Sequence, residues 1–310
     1  MARCSSIEIT FKISVLPFTN KRKMKNNQWI SASFEFDEYV KNGLGQQHLA
    51  AQLIALVGRY IVSKKPDSSN INMRFVPKSE LLLGNKLKDG LQIGLQLSEM
   101  EIRVLQSGKT VINTIQLNNK SFEEAFEELK KVLLNEGVDI SNIKTEQPYE
   151  LPTKWLTDGK FSTTNKLAFT NNSILRHNAE IIITELIAYF NDAIPVRIWP
   201  HHFDTGTFFT VSKNSKGEAT QTIGLGWAIP DDMVNEPYFY ISFWSEKEIK
   251  NSSNLTPLDF GNWMTPNWNG AILKHSEIIK ETSAEKQYLR VKQFYNSGIE
   301  QLIQLLQKNG

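Results

Sequence analysis

The sequence predicts an α+β fold made of two diverged copies of one helix/antiparallel-sheet/helix unit, and three observations predict it. Apolar residues recur at helical spacing near the start and the end of each half. Between those stretches lie short runs with the two-residue alternation or β-branched content of strands, separated by turn residues. The halves also echo one another in order. Leu53-Ile54-Ala55, Met73-Arg74-Phe75-Val76-Pro77 and Gly94 are followed by Leu186-Ile187-Ala188, Val196-Arg197-Ile198-Trp199-Pro200 and Gly224. The offset between partners drifts, as it would if loops had changed length between two copies.

Element by element, Ile7, Ile9, Phe11, Ile13 and Val15 alternate as a half-buried strand that Pro17 would end. From Gln46 to Val62, Leu49, Leu53, Leu56, Val57 and Tyr60 keep helical spacing, which stops before Pro66. Strands are expected over 72–76, 91–97 and 101–106, the last turning through Ser107-Gly108 into 110–117. Ser121 and Glu124 form a capping box for a helix with Phe122, Phe126, Leu129 and Leu133 on one face, and Gly137 is its stop. Between Val138 and Pro152 periodicity vanishes, so a boundary falls near residue 150. A second helix is expected over 173–191, capped by Asn172 or Ser173, then strands over 196–199, 208–212, 221–227 and 238–244. Asn214-Ser215-Lys216-Gly217 supplies a hairpin turn, and Tyr288, Val291, Tyr295, Ile299, Leu302 and Leu306 make a closing helix. Residues 1–27 read as an N-terminal appendage, 28–150 as the first α+β unit and 151–310 as the second, which carries the candidate site.

At 310 residues, 40% hydrophobic and 22% charged, the chain has the composition of a globular protein large enough for two units. Thirty-five basic side chains against 33 acidic ones give a formal charge of +2, which supplies no general attraction for nucleic acid. Lys21-Arg22-Lys23 with Lys25 reads as a solvated cluster rather than a phosphate site. Cys4 is the single cysteine, so neither an intrachain disulfide nor a multi-thiolate metal centre can form. No apolar run approaches the roughly 20 residues of a membrane helix, and Lys12 and Ser14 spoil a secretory signal. A cytoplasmic protein without membrane attachment is expected; oligomeric state is not legible.

The run Trp199-Pro200-His201-His202-Phe203-Asp204 concentrates the chemistry. On a regular strand His202 and Asp204 would share one face and Phe203 the other, so His202 and Asp204 could hold a ligand hydroxyl or two sites of a metal ion. A third metal ligand would have to come from His177, His275, Asp231 or Asp232. The bland alternative is a bent strand whose His and Asp tie down loop backbone. Phe203-Asp204-Thr205-Gly206 looks like an aspartic-protease signature but occurs once, where that chemistry needs two carboxylates. Asp259-Phe260-Gly261 lacks the other kinase elements. Gly224-Leu225-Gly226 and Gly43-Leu44-Gly45 lack the third glycine of a dinucleotide site, and read as turn or close-packing glycines. Five of seven tryptophans, Trp199, Trp227, Trp244, Trp263 and Trp268, fall within a span of 70 residues of the second half. They make a core or line a pocket for a flat ligand, and Trp263 to Gly270 is loop-like enough to act as a lid.

Trp199-x-x-x-Phe203-Asp204, Gly224-Leu225-Gly226-Trp227, Glu236-Pro237-Tyr238-Phe239-Tyr240 and Gly270-Ala271-Ile272-Leu273 resemble, in this order, a bacterial protein family catalogued as a domain of unknown function. The resemblance spans roughly residues 28–306 and implies a bacterial cytoplasmic origin and no particular reaction. Members carry a His-Trp-rich element where this chain has Asn72-Met73-Arg74-Phe75, so the resemblance places no polar site in the first half. The leading expectation is a small-molecule binding protein whose pocket in the second half uses Trp199, His202, Asp204 and Trp244. Alternatives are a metal-dependent or acid-base hydrolase using His202 and Asp204, and a structural or partner-binding protein without ligand. No organic cofactor is implied; a metal on His202 and Asp204 is the one inorganic alternative.

Overall fold

A computed structural model describes residues 28–250 and 255–309. The expected strand over Ile7 to Val15 and the basic cluster at 21–25 lie outside the described residues. An extended segment leads to α1 (Glu38–Tyr60), started by the Asp37 side chain, which accepts from the Val40 N–H at 2.9 Å. The helix begins well before the periodic stretch because its N-terminal part is buried through small residues rather than a leucine stripe. A Cβ on Gly43 would meet Ala168, and one on Gly45 would overlap the Trp155 ring. Neighbours therefore approach α1 closely, and most of it is buried around its whole circumference.

Five antiparallel strands follow in chain order: β1 (Arg74–Val76), β2 (Leu81–Leu83), β3 (Leu91–Gln96), β4 (Glu101–Gln106) and β5 (Thr110–Gln116). β2 escaped the sequence reading because three consecutive buried leucines show no alternation. α2 (Phe122–Asn135) has both halves of the expected capping box between Ser121 and Glu124, and Gly137 takes the left-handed conformation after it at φ 74°. The connection to the second half then runs back over the first. Phe161 N–H donates to the Lys120 carbonyl and Ser162 N–H to Gln46 Oε1, each at 2.9 Å.

α3 (Lys166–Ile187) starts at the N-cap Asn165, not at Asn172 or Ser173. Those two polar residues mimic a cap in sequence but lie buried inside the helix, where Asn172 Nδ2 donates to the Val40 carbonyl of α1 at 3.0 Å. The remaining elements are β6 (Arg197–Trp199), β7 (Asp204–Lys213), β8 (Ala219–Ala228), β9 (Tyr238–Ser245), β10 (Asn262–Trp263), β11 (Gly270–Lys274), the short α4 (His275–Ile278) and α5 (Ala284–Lys308). Their sheet is antiparallel with order β6-β7-β8-β9-β11-β10. Each half thus runs helix, antiparallel strands, helix, the α+β plan expected. β10, β11 and α4 were not anticipated, since a two-residue and a five-residue strand give almost no periodic signal.

The two sheets meet edge to edge. Met73 and Ile198, beside β1 and on β6, exchange backbone hydrogen bonds of 3.1 and 2.8 Å. Behind the joint α1 packs on α3, and one core runs through both halves, from Leu53, Leu95 and Phe126 to Phe203, Trp227 and Tyr295. On the second sheet, Ile223, Leu225, Trp227, Phe239 and Ile241 face this core. The alternate residues Gly224, Gly226, Tyr240, Ser242 and Trp244 form the outer face. The opening segment also crosses over: Trp29 stacks on Phe239 at 6.3 Å and meets Tyr288 edge-on at 5.8 Å.

Candidate functional site

His202 does not sit on a regular strand. Residues 200–203 form the tight turn between β6 and β7, with Trp199 opposite Asp204 and the Phe203 N–H donating to the Trp199 carbonyl at 2.6 Å. Phe203 closes the turn at φ 54°, a left-handed conformation that a bulky side chain rarely adopts. The alternation argument therefore fails at this point: Pro200 ends β6, and His201 and His202 stand exposed at the turn while Asp204 opens β7.

Contacts from both halves hold the strained turn. The Phe203 ring is fully buried and stacks parallel to His48 of α1 at 5.0 Å, and the Arg176 guanidinium of α3 lies over the same ring at 4.2 Å. Arg176 Nη2 donates to the Phe203 carbonyl at 2.9 Å and Nη1 to Thr205 Oγ1 at 2.7 Å. His48 Nε2 and Gln52 Nε2 both donate to the Pro200 carbonyl, at 2.9 and 2.7 Å. Burial depresses the His48 imidazole to about 4 and the Arg176 guanidinium to about 9. His48 is therefore neutral and Arg176 charged at neutral pH.

Asp204 is joined to a second network. Its Oδ2 accepts the Tyr240 hydroxyl at 2.8 Å, across β8. That reach needs glycine: Gly206, Gly226 and Tyr240 lie in one cross-strand row, and a Cβ on Gly226 would sit 2.2 Å from the Tyr240 ring. Two glycines let the ring lie flat over the sheet. This is the close-packing role expected of Gly224-Leu225-Gly226, with Gly224 doing the same for Ser242. Asp204 Oδ1 is buried and has no hydrogen-bond partner. Burial pushes the Asp204 carboxyl up, against the Tyr240 hydrogen bond and the Arg176 charge. Beside it Tyr238 gives its hydroxyl to Asp231 Oδ2 at 2.5 Å, while Asp231 Oδ1 accepts the N–H groups of Met233 and Val234 at 2.9 Å each.

These groups line a cleft of about 520 Å³ at the end of the second sheet, where β7 begins, β8 ends and β9 begins. The second half contributes His201, His202, Asp204, Asp231, Asp232, Tyr238, Tyr240 and Trp268. The opposite wall comes from Lys41, Leu44, Gly45 and His48 of α1, in the first half, and from Pro152, Lys154 and Trp155 of the connection, at the start of the expected second unit. The cleft thus lies between the halves, not within the second as expected. Trp268 meets Tyr240 edge-on at 6.2 Å, which puts the loop flagged as a lid at the cleft wall.

Of the sequence candidates, His202 and Asp204 share this cleft. Trp199 and Trp244 do not enter it; they border a shallower groove of about 250 Å³ on the outer sheet face, with Tyr240 common to both. Trp244 is 51% exposed there. Neither His177, bonded to the Gln28 carbonyl, nor His275, bonded to that of Phe34, approaches the pair. Among the described residues no group of three or more His, Cys, Asp or Glu side chains is placed to share a metal ion. His48, Arg176, Tyr240, Trp155 and Trp268 were not singled out as site residues. Alternation along β9 does put Tyr238 and Tyr240 on one face, and an arginine amid the apolar residues of α3 was a visible anomaly.

No family model, no curated protein and no solved structure matches this chain.

Proposed function

We propose that the protein binds a small organic ligand in the cleft between its two halves. One observation carries this reading: a 520 Å³ cleft in which the rings of Trp155, Tyr238, Tyr240 and Trp268 converge with the carboxylates of Asp204 and Asp231. Such a mixture of apolar walls and few oriented polar groups is what holds and orients a small ligand. The net charge of +2 gives no reason to invoke nucleic acid. No helix among the described residues is long and apolar enough to cross a membrane, which is compatible with the cytoplasmic setting we propose.

The acid-base hydrolase reading is supported by the raised Asp204 carboxyl beside His202. It is the weaker of the two. A proton relay needs the two side chains within hydrogen-bond reach, whereas the hydrogen bond Asp204 makes is to Tyr240 and His202 lies exposed. A metal on His202 and Asp204 would want a third donor, which the described residues do not bring there.

The test is thermal melting of His202→Ala and Asp204→Ala, singly, with and without a metabolite and metal panel. We expect a panel compound to stabilise the wild type, His202→Ala to melt within a few degrees of it, and both variants to lose the ligand response. Asp204→Ala should cost about 1–2 kcal/mol, for the Tyr240 hydroxyl left without its acceptor. Loss of several kcal/mol in both variants, with nothing stabilising the wild type, would make the turn purely structural.

A further inference from the structure

The ligand class can be read from the polarity of the cleft floor, on the reading that the cleft is a binding site. We propose that it takes a protonated organic amine, whose ammonium N–H groups bond Asp204 Oδ1 while its charge faces the rings of Tyr240 and Trp268.

Both tyrosines of the floor have already given away their hydroxyl hydrogens, Tyr240 to Asp204 and Tyr238 to Asp231. What the floor offers is acceptors, and one of them, Asp204 Oδ1, is buried with no partner. A buried carboxylate oxygen without a donor is costly, so the site is completed by a donor brought in from outside. An ammonium brings N–H groups and a countercharge together; a neutral hydroxyl brings only the donor. Arg176 lies behind Asp204 but its Nη atoms are bonded to Thr205 and Phe203, and burial still pushes the carboxyl up.

The rings point the same way. Tyr240 and Trp268 stand 79° apart at 6.2 Å, and Tyr238 and Tyr240 58° apart at 6.4 Å, so the rings lie in different planes, and it is their negative faces, not their positive edges, that attract a cation. Asp231 and Asp232 add to the negative potential of that wall. The lysines of the lining do not cancel it. Lys41 Nζ is held by Glu38 Oε1 at 3.3 Å and Asn235 Oδ1 at 2.9 Å, and Lys154 Nζ lies over the Trp155 ring at 5.0 Å on the other wall.

The test is calorimetric titration of the full-length protein with a matched set of probes. Benzylamine carries the ammonium, benzyl alcohol is its neutral counterpart, benzyltrimethylammonium keeps the charge but has no N–H, and methyl glucoside offers hydroxyls alone. We expect saturable binding of benzylamine, weaker binding of benzyltrimethylammonium, and none of the two neutral probes. Asp204→Asn keeps the shape and removes the charge; it should weaken benzylamine by at least about tenfold while the melting temperature stays close to wild type. Trp268→Ala should weaken both cations. Benzyl alcohol or methyl glucoside binding as well as benzylamine overturns the proposal, as does benzylamine affinity undiminished in Asp204→Asn. If no probe binds but a panel metabolite does so in an Asp204-dependent way, the cleft remains a binding site and the amine assignment falls. If neither binds, both fall.

Discussion

Phe203 shows how much of the site depends on single residues far apart in sequence. Its left-handed backbone costs of order 1–3 kcal/mol, offset by a ring buried between His48 and Arg176. His48 makes the turn sensitive to acid. Its pKa is about 4 in the folded protein against an ordinary 6.5, so the unfolded chain takes up the proton first on acidification. Stability from this group is fully present above pH 6.5 and is lost as the pH falls to about 4, by on the order of 2–3 kcal/mol. His48→Gln should flatten the fall in denaturation free energy over that window, read from urea titrations at pH 7 and pH 4.5; an unchanged difference would sink the assignment. In sequence the turn's residue types were legible and its geometry was not. Trp199 to Asp204 announces dense chemistry, but the clamps on Pro200 and Phe203 come from Gln52, His48 and Arg176, and no local pattern joins them.

At the scale of elements, legibility follows locality. The capping box of α2 and the β3-β4-β5 hairpins are specified by neighbours in sequence, and they stand close to where their signals place them. The start of α3 and the length of α1 are not, because burial against each other lets α3 carry buried asparagines and α1 buried glutamines and glycines where an amphipathic stripe is looked for. Gly45 illustrates the trade. In a helix interior, alanine is favoured over glycine by about 1 kcal/mol, but here its Cβ would lie 2.2 Å from the Trp155 ring. Trp155 sits in a short turn of the connection (Thr153–Trp155) rather than in a long helix or a sheet, so we expect its ring to be displaced. Gly45→Ala should therefore keep its melting temperature within a few degrees of wild type while abolishing the ligand response of the cleft. Equal loss of stability and ligand response would instead mean that Trp155 cannot yield and serves the core.

For the whole molecule, both halves run helix, antiparallel strands, helix: β1 and β6 form the joint, α1 and α3 pack behind it, and Gly94 and Gly224 fall on β3 and β8. The sheets differ in order and in measure: the first runs β1-β2-β3-β4-β5, the second sets β11 between β9 and β10, and β7 and β8 span ten residues each where β2 spans three and β3 six. Order in itself is as much a consequence of packing as of descent. What the arrangement does dictate is cooperativity. α1 is buried by the second half and the connection as well as by its own sheet. Segment 28–36 is bonded to the second half, where Ile30 N–H donates to Asn178 Oδ1 at 2.9 Å and Ala32 N–H to Gln287 Oε1 at 3.0 Å. Residues 161–162, beyond the expected border, are bonded to the first. Cutting near residue 150 would expose the apolar faces of α1 and α3 together, and neither piece would keep a closed core. The full chain should melt in one transition with calorimetric and van't Hoff enthalpies in agreement. Residues 28–150 and 151–310, expressed apart, should lack cooperative melting. Two resolved transitions, or a separately folded half, would show that the continuous core is not the unit of stability, and that the cleft between the halves can open as two domains part.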